Sequence, residues 1–326
     1  MSLKSTRQGF GDAITKLGQI NKDVVVVSAN LASSLKITDF AKLYPDRFFE
    51  CGVAENNMMG LSAGLALEGK IPFACSFASF SPYLNWAVIR QSVCLPKANV
   101  KIASSHAGLA TGADGATHQA LEDLALMQVL PNMTVVVPAD YDQAYEATLQ
   151  AAKMNGPVYL RLTRSDTKQI SNYNPGVAPG QITNKFQINK CQILKEGKDL
   201  TLISCGPIIF EAIKAIEIAS KGSDPMLRKI SIELINCHTL KPLDKETIIK
   251  SVKKTGRCLT VEDHQVFGGL GAHIAILLSQ NFPVPMRIMG VKNQFGQSAK
   301  KEAELYKKFG LDSVAILKSI REIIKK

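Results

Sequence analysis

A chain of 326 residues is long enough for about two ordinary domains, and 46% hydrophobic against 21% charged side chains excludes a disordered or low-complexity protein. The 39 basic and 28 acidic side chains leave +11, unevenly spread: residues 1–186 hold 16 basic and 14 acidic groups, residues 187–326 hold 23 and 14. The basic half lacks the Arg-rich helix and interleaved aromatics of a nucleic-acid binder, so its scattered lysines read as solvated faces.

Short β-rich runs then alternate with longer helical stretches, the pattern of parallel-sheet α/β domains. Strands are predicted at Val24–Ser28, Ile71–Ala74, Lys101–Ser104, Thr134–Pro138 and Val158–Leu162. Between them lie helices at Met58–Leu67, Leu84–Leu95, Ala120–Leu130 and Gln143–Met154, the last closed by Asn155-Gly156-Pro157. Residues 171–186 open with SNYNPGVAPGQIT, polar and rich in Gly and Pro, and read as a linker between domains 1–170 and 187–326. The second domain repeats the alternation: strand Leu200–Ser204, helix Ile209–Ala219, strand Lys229–Ile235, helix Lys245–Lys253, strand Cys258–Glu262, helix Gly271–Leu278. Its Phe267-Gly268-Gly269-Leu270-Gly271 loop has amides that could hold an anion, but position 274 is Ile, so the dinucleotide fingerprint is absent and a tight strand-to-helix turn is expected. His264 and His273 beside it read as packing or hydrogen-bonding residues. The start, MSLKSTRQGFGDAI, lacks a signal core, and no run approaches the ~18 apolar residues of a membrane span. Seven cysteines without CxxC or metal-ligand spacing suit the reducing cytoplasm, with no membrane or nucleic-acid partner.

Four segments of the first domain carry polar groups that structure alone does not require. Glu55, in ECGVAENNMMG, is either a first-turn carboxylate favoured by the helix dipole or a carboxylate held in an apolar pocket to exchange a proton with a ligand. Phe77, Phe80 and Tyr83 recur every third residue, as core or as the wall of a flat ring. The run SSHAGLATGADGATHQ, residues 104–119, follows a strand and holds His106, Asp114 and His118, where α/β folds place ligands. Arg161 and Arg164 end another strand, either as surface charges or as groups suited to a phosphate.

At these segments the sequence resembles the transketolase family, in its pyrimidine-binding and C-terminal domains, from about Thr6 to the end. LRLTR, Lys241-Pro242-Leu243-Asp244 and VEDHQVFGGLG continue the likeness. The resemblance implies that Glu55 hydrogen-bonds the pyrimidine nitrogen of thiamine diphosphate, favouring the imino tautomer that deprotonates the thiazolium carbon. It implies that Phe77, Phe80 and Tyr83 wall the pyrimidine and that His106, as a catalytic residue, Asp114 and His118 contact the hydroxyls of a ketose. Arg7, Ser34 and Arg164 match the grip on a sugar phosphate. Asn30 stands where the family usually has Asp, which bears on a cofactor-side hydrogen bond. Asn56-Asn57 likewise replaces glutamine or histidine.

The family's GDG…N motif for the diphosphate and its metal is absent. No metal ligands are expected on this chain, and the resemblance implies an N-terminal partner subunit that holds Mg²⁺, in a heterotetramer with two copies of each chain. The implied reaction moves a two-carbon ketol unit from a ketose phosphate to an aldose phosphate. Three other readings fit less well. 1-Deoxyxylulose-5-phosphate synthases carry Asp-Arg where Ser105-His106 stands. 2-Oxo acid dehydrogenase beta subunits lack a loop like DGATHQ. A non-catalytic binding subunit would have had no use for Glu55, the aromatic wall and both histidines.

Overall fold

Five consecutive buried residues form the strand Val24–Ser28, and such a run suits only a strand covered on both faces. It lies in a seven-stranded sheet with the order Thr239–Lys241, Thr134–Val136, Val158–Arg161, Lys101–Ser105, Ile71–Phe77, Val24–Ser28, Phe48–Glu50. All neighbours are parallel except Thr239–Lys241, which joins antiparallel at the edge. The computed structural model describes residues 3–170 and 186–325, so the predicted linker lies outside the described residues apart from Phe186.

Alternation along each strand supplies the two faces. Val24, Val26, Phe73 and Leu160 pack with Phe10 and Ile14 of helix Thr6–Ile20 and with Ala144 and Ala147 of helix Tyr141–Lys153. Val27, Ala74, Ile102 and Tyr159 pack with Met58 and Met59 of helix Glu55–Leu67 on the other face. Helices Thr6–Ile20 and Tyr141–Lys153 meet so closely that a Cβ on Gly9 would stand 2.2 Å from the Tyr141 carbonyl oxygen.

The second sheet has five strands, in the order Met286–Val291, Cys258–Gln265, Leu200–Ser204, Ile232–Asn236, Gln192–Lys195, with only the last pair antiparallel. Helix Lys245–Thr255 starts where Asp244 accepts the Thr247 amide and stops at Gly256 in the left-handed region. The expected α/β architecture with parallel sheets is present, with one antiparallel edge strand added to each. The strand Thr239–Lys241 also means that the first sheet is finished by a segment from the second half of the chain. Lys241 fixes the join, its ammonium donating to the carbonyls of Gln128 (2.8 Å) and Leu130.

Several predicted bounds shift for identifiable reasons. The helix expected at Ala120–Leu130 begins only at Asp123, because the Ala120 carbonyl accepts from Gly108 N and the Glu122 amide donates to Tyr83. The Leu84–Leu95 helix is a short turn, Trp86–Val88, followed by a wider turn over Ile89–Cys94, with Asn85 ahead of it bonded to Ser81 and Glu55. The strand expected from Lys229 begins at Ile232, after the Asp224-capped helix Pro225–Lys229. All seven thiols are free and all but Cys51 are buried. Among the described residues no helix is long and apolar enough to cross a membrane.

Candidate active site

Parallel register brings the candidate segments to one edge of the first sheet. Ser28 pairs with Cys75, Phe77 with Ser105 and Ser104 with Arg161, so the residues that follow these strands emerge side by side. This is the carboxyl edge, where open α/β sheets gather ligands.

Glu55 opens its helix and is 5% exposed. The Ser76 hydroxyl donates to its Oε1 at 3.2 Å, while Oε2 has no hydrogen-bond partner among the described residues. Asn85 Nδ2 donates to the Glu55 carbonyl (3.1 Å) and to Ser81 Oγ (3.1 Å), and Ser104 Oγ donates to the Ser81 carbonyl (2.6 Å). The carboxylate is therefore held at one oxygen and open at the other. Sequence reasoning singled out Glu55 but not Ser76 or Asn85; the serine-rich run 76–81 offers no spacing signal for which hydroxyl is used, and a lone Asn gives none.

The strand that supplies Ser76 ends in Phe77, which belongs to a group of rings. Phe77 stacks on His106 with centroids 3.8 Å apart and on Phe80 at 5.8 Å. His118 meets Phe80 edge-on at 5.4 Å and Phe77 at 6.4 Å. His106 has a φ of 60°, in the left-handed region that non-glycine residues seldom adopt. Flanking backbone bonds hold it there, Ala107 N to Leu162 O and Gly108 N to Ala120 O. Burial, followed by the charges of Arg7, Arg164 and His118, pushes the His106 imidazole down to about 3. The ring is thus neutral, its Nδ1 against Ser105 Oγ at 3.0 Å and its Nε2 unbonded among the described residues.

Tyr83 is placed differently. Its hydroxyl donates to Glu122 Oε2 (2.5 Å) and accepts from Glu122 N (2.9 Å), and its ring packs against Ala78, Ala107 and Ala120. It braces the loop behind the Phe77–Phe80 pair and has no ring contact with that pair. Asn30 follows strand Val24–Ser28 at φ 61°, a conformation asparagine tolerates, and is exposed. Its amide and that of Gly52 both donate to Glu50 Oε1, at 2.7 and 2.9 Å.

The basic residues separate into two kinds. Arg7 donates to the Ser34 carbonyl (2.9 Å), and its buried Nε has no partner. Arg164 pairs with Asp114 (3.1 Å) and donates to the Thr111 carbonyl (3.3 Å). Burial lowers the proton affinity of Arg7 and the Arg164 charge lowers it further, against a smaller opposing pull from Asp166. Two guanidiniums in mutual repulsion, one with an orphaned donor, form an arrangement that an anion relieves. Arg161 does not belong to it, which corrects both readings of that residue. Its side chain is 3% exposed and grips Asp123 through Nε–Oδ2 (2.8 Å) and Nη2–Oδ1 (3.1 Å), while Nη2 also donates to the Ala120 and Asp263 carbonyls.

The second half contributes Asp263, which sequence reasoning missed. Both its oxygens accept the Leu109 amide at 3.1 Å, and the Tyr306 hydroxyl lies at 3.4 Å. Burial raises this carboxyl to about 7 against the pull of Arg161. A Cβ on Gly108, at φ +74°, would stand 2.1 Å from Asp263 Oδ2, so the loop carrying His106 is docked on the second half with no room to spare. Gln119 Nε2 to Gln297 O (3.0 Å) and Ala299 N to Gly112 O (3.2 Å) complete the docking. The Gly-rich loop nearby is a turn, as expected: its amides at Leu270 and Gly271 are taken by the chain's own Glu262 at 2.7 and 2.8 Å.

The donor set fits the expected cofactor at its ring end. A buried carboxyl group with one free oxygen, at the same sheet edge as stacked aromatic faces, suits a flat heteroaromatic ring with a basic nitrogen. Among the described residues no group of three or more His, Cys, Asp or Glu is placed to hold a metal ion.

Residues 3–169 match the family described as transketolase, pyrimidine binding domain, and residues 189–316 match transketolase, C-terminal domain. A protein of Methanocaldococcus jannaschii described as a transketolase C-terminal section is 41% identical over 324 residues, covering 99% of this chain and 97% of that one. A subunit of the 6-deoxy-6-sulfo-D-fructose transketolase of a Clostridium species is 35% identical over 318 residues, covering 97% of this chain and 94% of that one. A solved structure described as a split gene transketolase, inactive beta4 tetramer, superposes with a TM-score of 0.86 at 39% identity over 99% of each chain.

Proposed function

This chain belongs to the transketolase family, and from that premise we propose that it is the C-terminal subunit of a split ketol-transferase dependent on thiamine diphosphate. The observation that carries the reading is Glu55: buried, open at one oxygen and pinned at the other by Ser76, from a strand end that also carries the stacked Phe77.

Bound thiamine diphosphate would supply the acidic thiazolium carbon through which a carbon–carbon bond next to a ketone is broken and remade. Glu55 Oε2 would hold a proton against the pyrimidine nitrogen, and Ser76, by occupying Oε1, leaves that proton one place to reside. Phe77 and Phe80 would keep water from the ring. His106, neutral, would bond a ketose hydroxyl through Nε2 without adding a charge to the site. Asp114 and His118, more exposed than His106, would bond further hydroxyls. Arg7 and Arg164, with Ser34 fixing Arg7, would take the anionic end of the sugar, and Asp114 would release Arg164 in part as it binds. Asn30 would lie at the cofactor side. The relative that handles a sulfo-sugar supports keeping the sugar open within anionic ketoses; a ketose phosphate is our proposal.

A partner of the N-terminal type would hold Mg²⁺ and the diphosphate, in an assembly with two copies of each chain. The similar structure described as an inactive beta4 tetramer supports the view that this half does not work alone. Glu55→Gln tests the reading, because an amide of the same shape cannot exchange the proton. In the assembled enzyme at saturating cofactor, turnover should fall on the order of 10²–10⁴-fold, with slowed hydrogen–deuterium exchange at the thiazolium carbon. Unchanged exchange would remove Glu55 from the mechanism.

A further inference from the structure

The second half gathers like charges around a hollow whose lining residues differ from those of the site described above. A cavity of about 250 Å³ lies at the edge strand Met286–Val291, beside the helix Ser313–Ile324. Arg287, Lys292, Lys308 and Lys318 line it, and no carboxylate does. Only two of the four are engaged: Arg287 pairs with Glu322 at 2.6 Å, and the Lys308 ammonium donates to Gln297 Oε1. Lys292 and Lys318 are exposed and have no ion pair or hydrogen bond among the described residues. The buried Ser319 and the amide of Gln294 add polar lining.

Surface lysines normally spread apart, because like charges around a low-dielectric hollow repel and the concave wall concentrates their field. Here three lysines and an arginine line one cavity, and an anion in it offsets their repulsion. The guanidinium offers a planar fork and the three ammoniums offer point charges, a set that matches tetrahedral phosphate oxygens. The room exceeds what one phosphate fills, and three uncompensated cations balance the charge of two linked phosphates. We infer that this hollow is a binding site for a small polyphosphate anion of diphosphate size.

The test is calorimetric titration of the full chain with inorganic diphosphate at low ionic strength, where such contacts are least screened. Arg7→Ala with Arg164→Ala first removes the anion cluster at the active site. That variant should keep one saturable diphosphate site per chain, and adding Lys292→Ala with Lys318→Ala should weaken it by about tenfold or more. Lys292→Gln with Lys318→Gln, which keeps side-chain length, should do the same. Three results would each overturn the inference: no saturable binding once Arg7 and Arg164 are gone, an affinity indifferent to the two lysines, or equal binding of sulfate at matched ionic strength.

Discussion

Arg161→Met should weaken the fold, not the grip on a phosphate. The guanidinium and Asp123 are 3% and 0% exposed, joined by two hydrogen bonds at 2.8 and 3.1 Å, and the same guanidinium ties in the Ala120 and Asp263 carbonyls. Its removal strands a buried carboxylate with only the Tyr159 hydroxyl, at 2.8 Å, for company. Breaking a buried pair from one side costs about 3–5 kcal/mol, which for a protein of this size, melting as one unit, lowers the melting temperature by roughly 4–7 °C. Differential scanning calorimetry measures it. Adding Asp123→Leu should recover most of the loss, because no uncompensated charge then remains. Arg164 is the control: its pair with Asp114 is 44% and 40% exposed, worth about 0–1 kcal/mol, so Arg164→Met should melt like the wild type. In the assembled enzyme it should raise KM for phosphorylated donors far more than for hydroxypyruvate. If Arg161→Met melts normally and loses only phosphorylated donors, the reasoning from burial is wrong and Arg161 is a phosphate ligand.

His106→Asn should make the acid side of the stability profile shallower. With the folded imidazole near 3 and the unfolded one near its ordinary 6.5, the unfolded chain takes up a proton that the folded chain refuses. Stability is therefore lost as pH falls through that window, by up to about 1.4 kcal/mol per pH unit; equal slopes for both proteins in urea titrations from pH 7 to 4 would contradict the buried, neutral ring. Gly108→Ala, which needs a Cβ at φ +74° against Asp263, should cost about 1–2 kcal/mol or more in denaturant titration and raise donor KM, whereas wild-type stability would mean the loop is not docked. The isolated chain should bind thiamine diphosphate weakly by calorimetry and tightly once the partner subunit and Mg²⁺ are added; tight metal-dependent binding by the chain alone would refute the split assembly.

Long buried strands and the polar loop after Lys101–Ser105 were legible because their signals are local: unbroken β-branched runs, and glycine with histidine at a strand end. Glu55 was legible for the same reason, as a lone carboxylate opening an apolar helix. The helix Thr6–Ile20 was not, because three glycines in fifteen residues weaken its helical signal. The structure shows them as points of close approach, Gly9 against Tyr141 and Gly11 against Lys36. Edge strands such as Gln192–Lys195 are too short to show a period. Arg161 and Arg164 look alike in sequence; what separates them is Asp123, thirty-eight positions away. Tyr83 shares a spacing of three with Phe77 and Phe80, but residues 78–85 form successive turns and not a helix, so that spacing does not put the three rings on one face.

The strand Thr239–Lys241 has a consequence for how this polypeptide can be divided. It covers the flank of Thr134–Val136, whose Val135 and Val136 are wholly buried. Cutting the chain between its halves would bare that flank, leave a row of unpaired backbone amides and carbonyls, and invite other chains to add to it. Lys241 would also leave the Gln128 and Leu130 carbonyls without their donor. The halves are thus bound to melt together, and a gene encoding them tolerates fission poorly at this join. A viable split of such an enzyme falls where no sheet borrows a strand from across the cut.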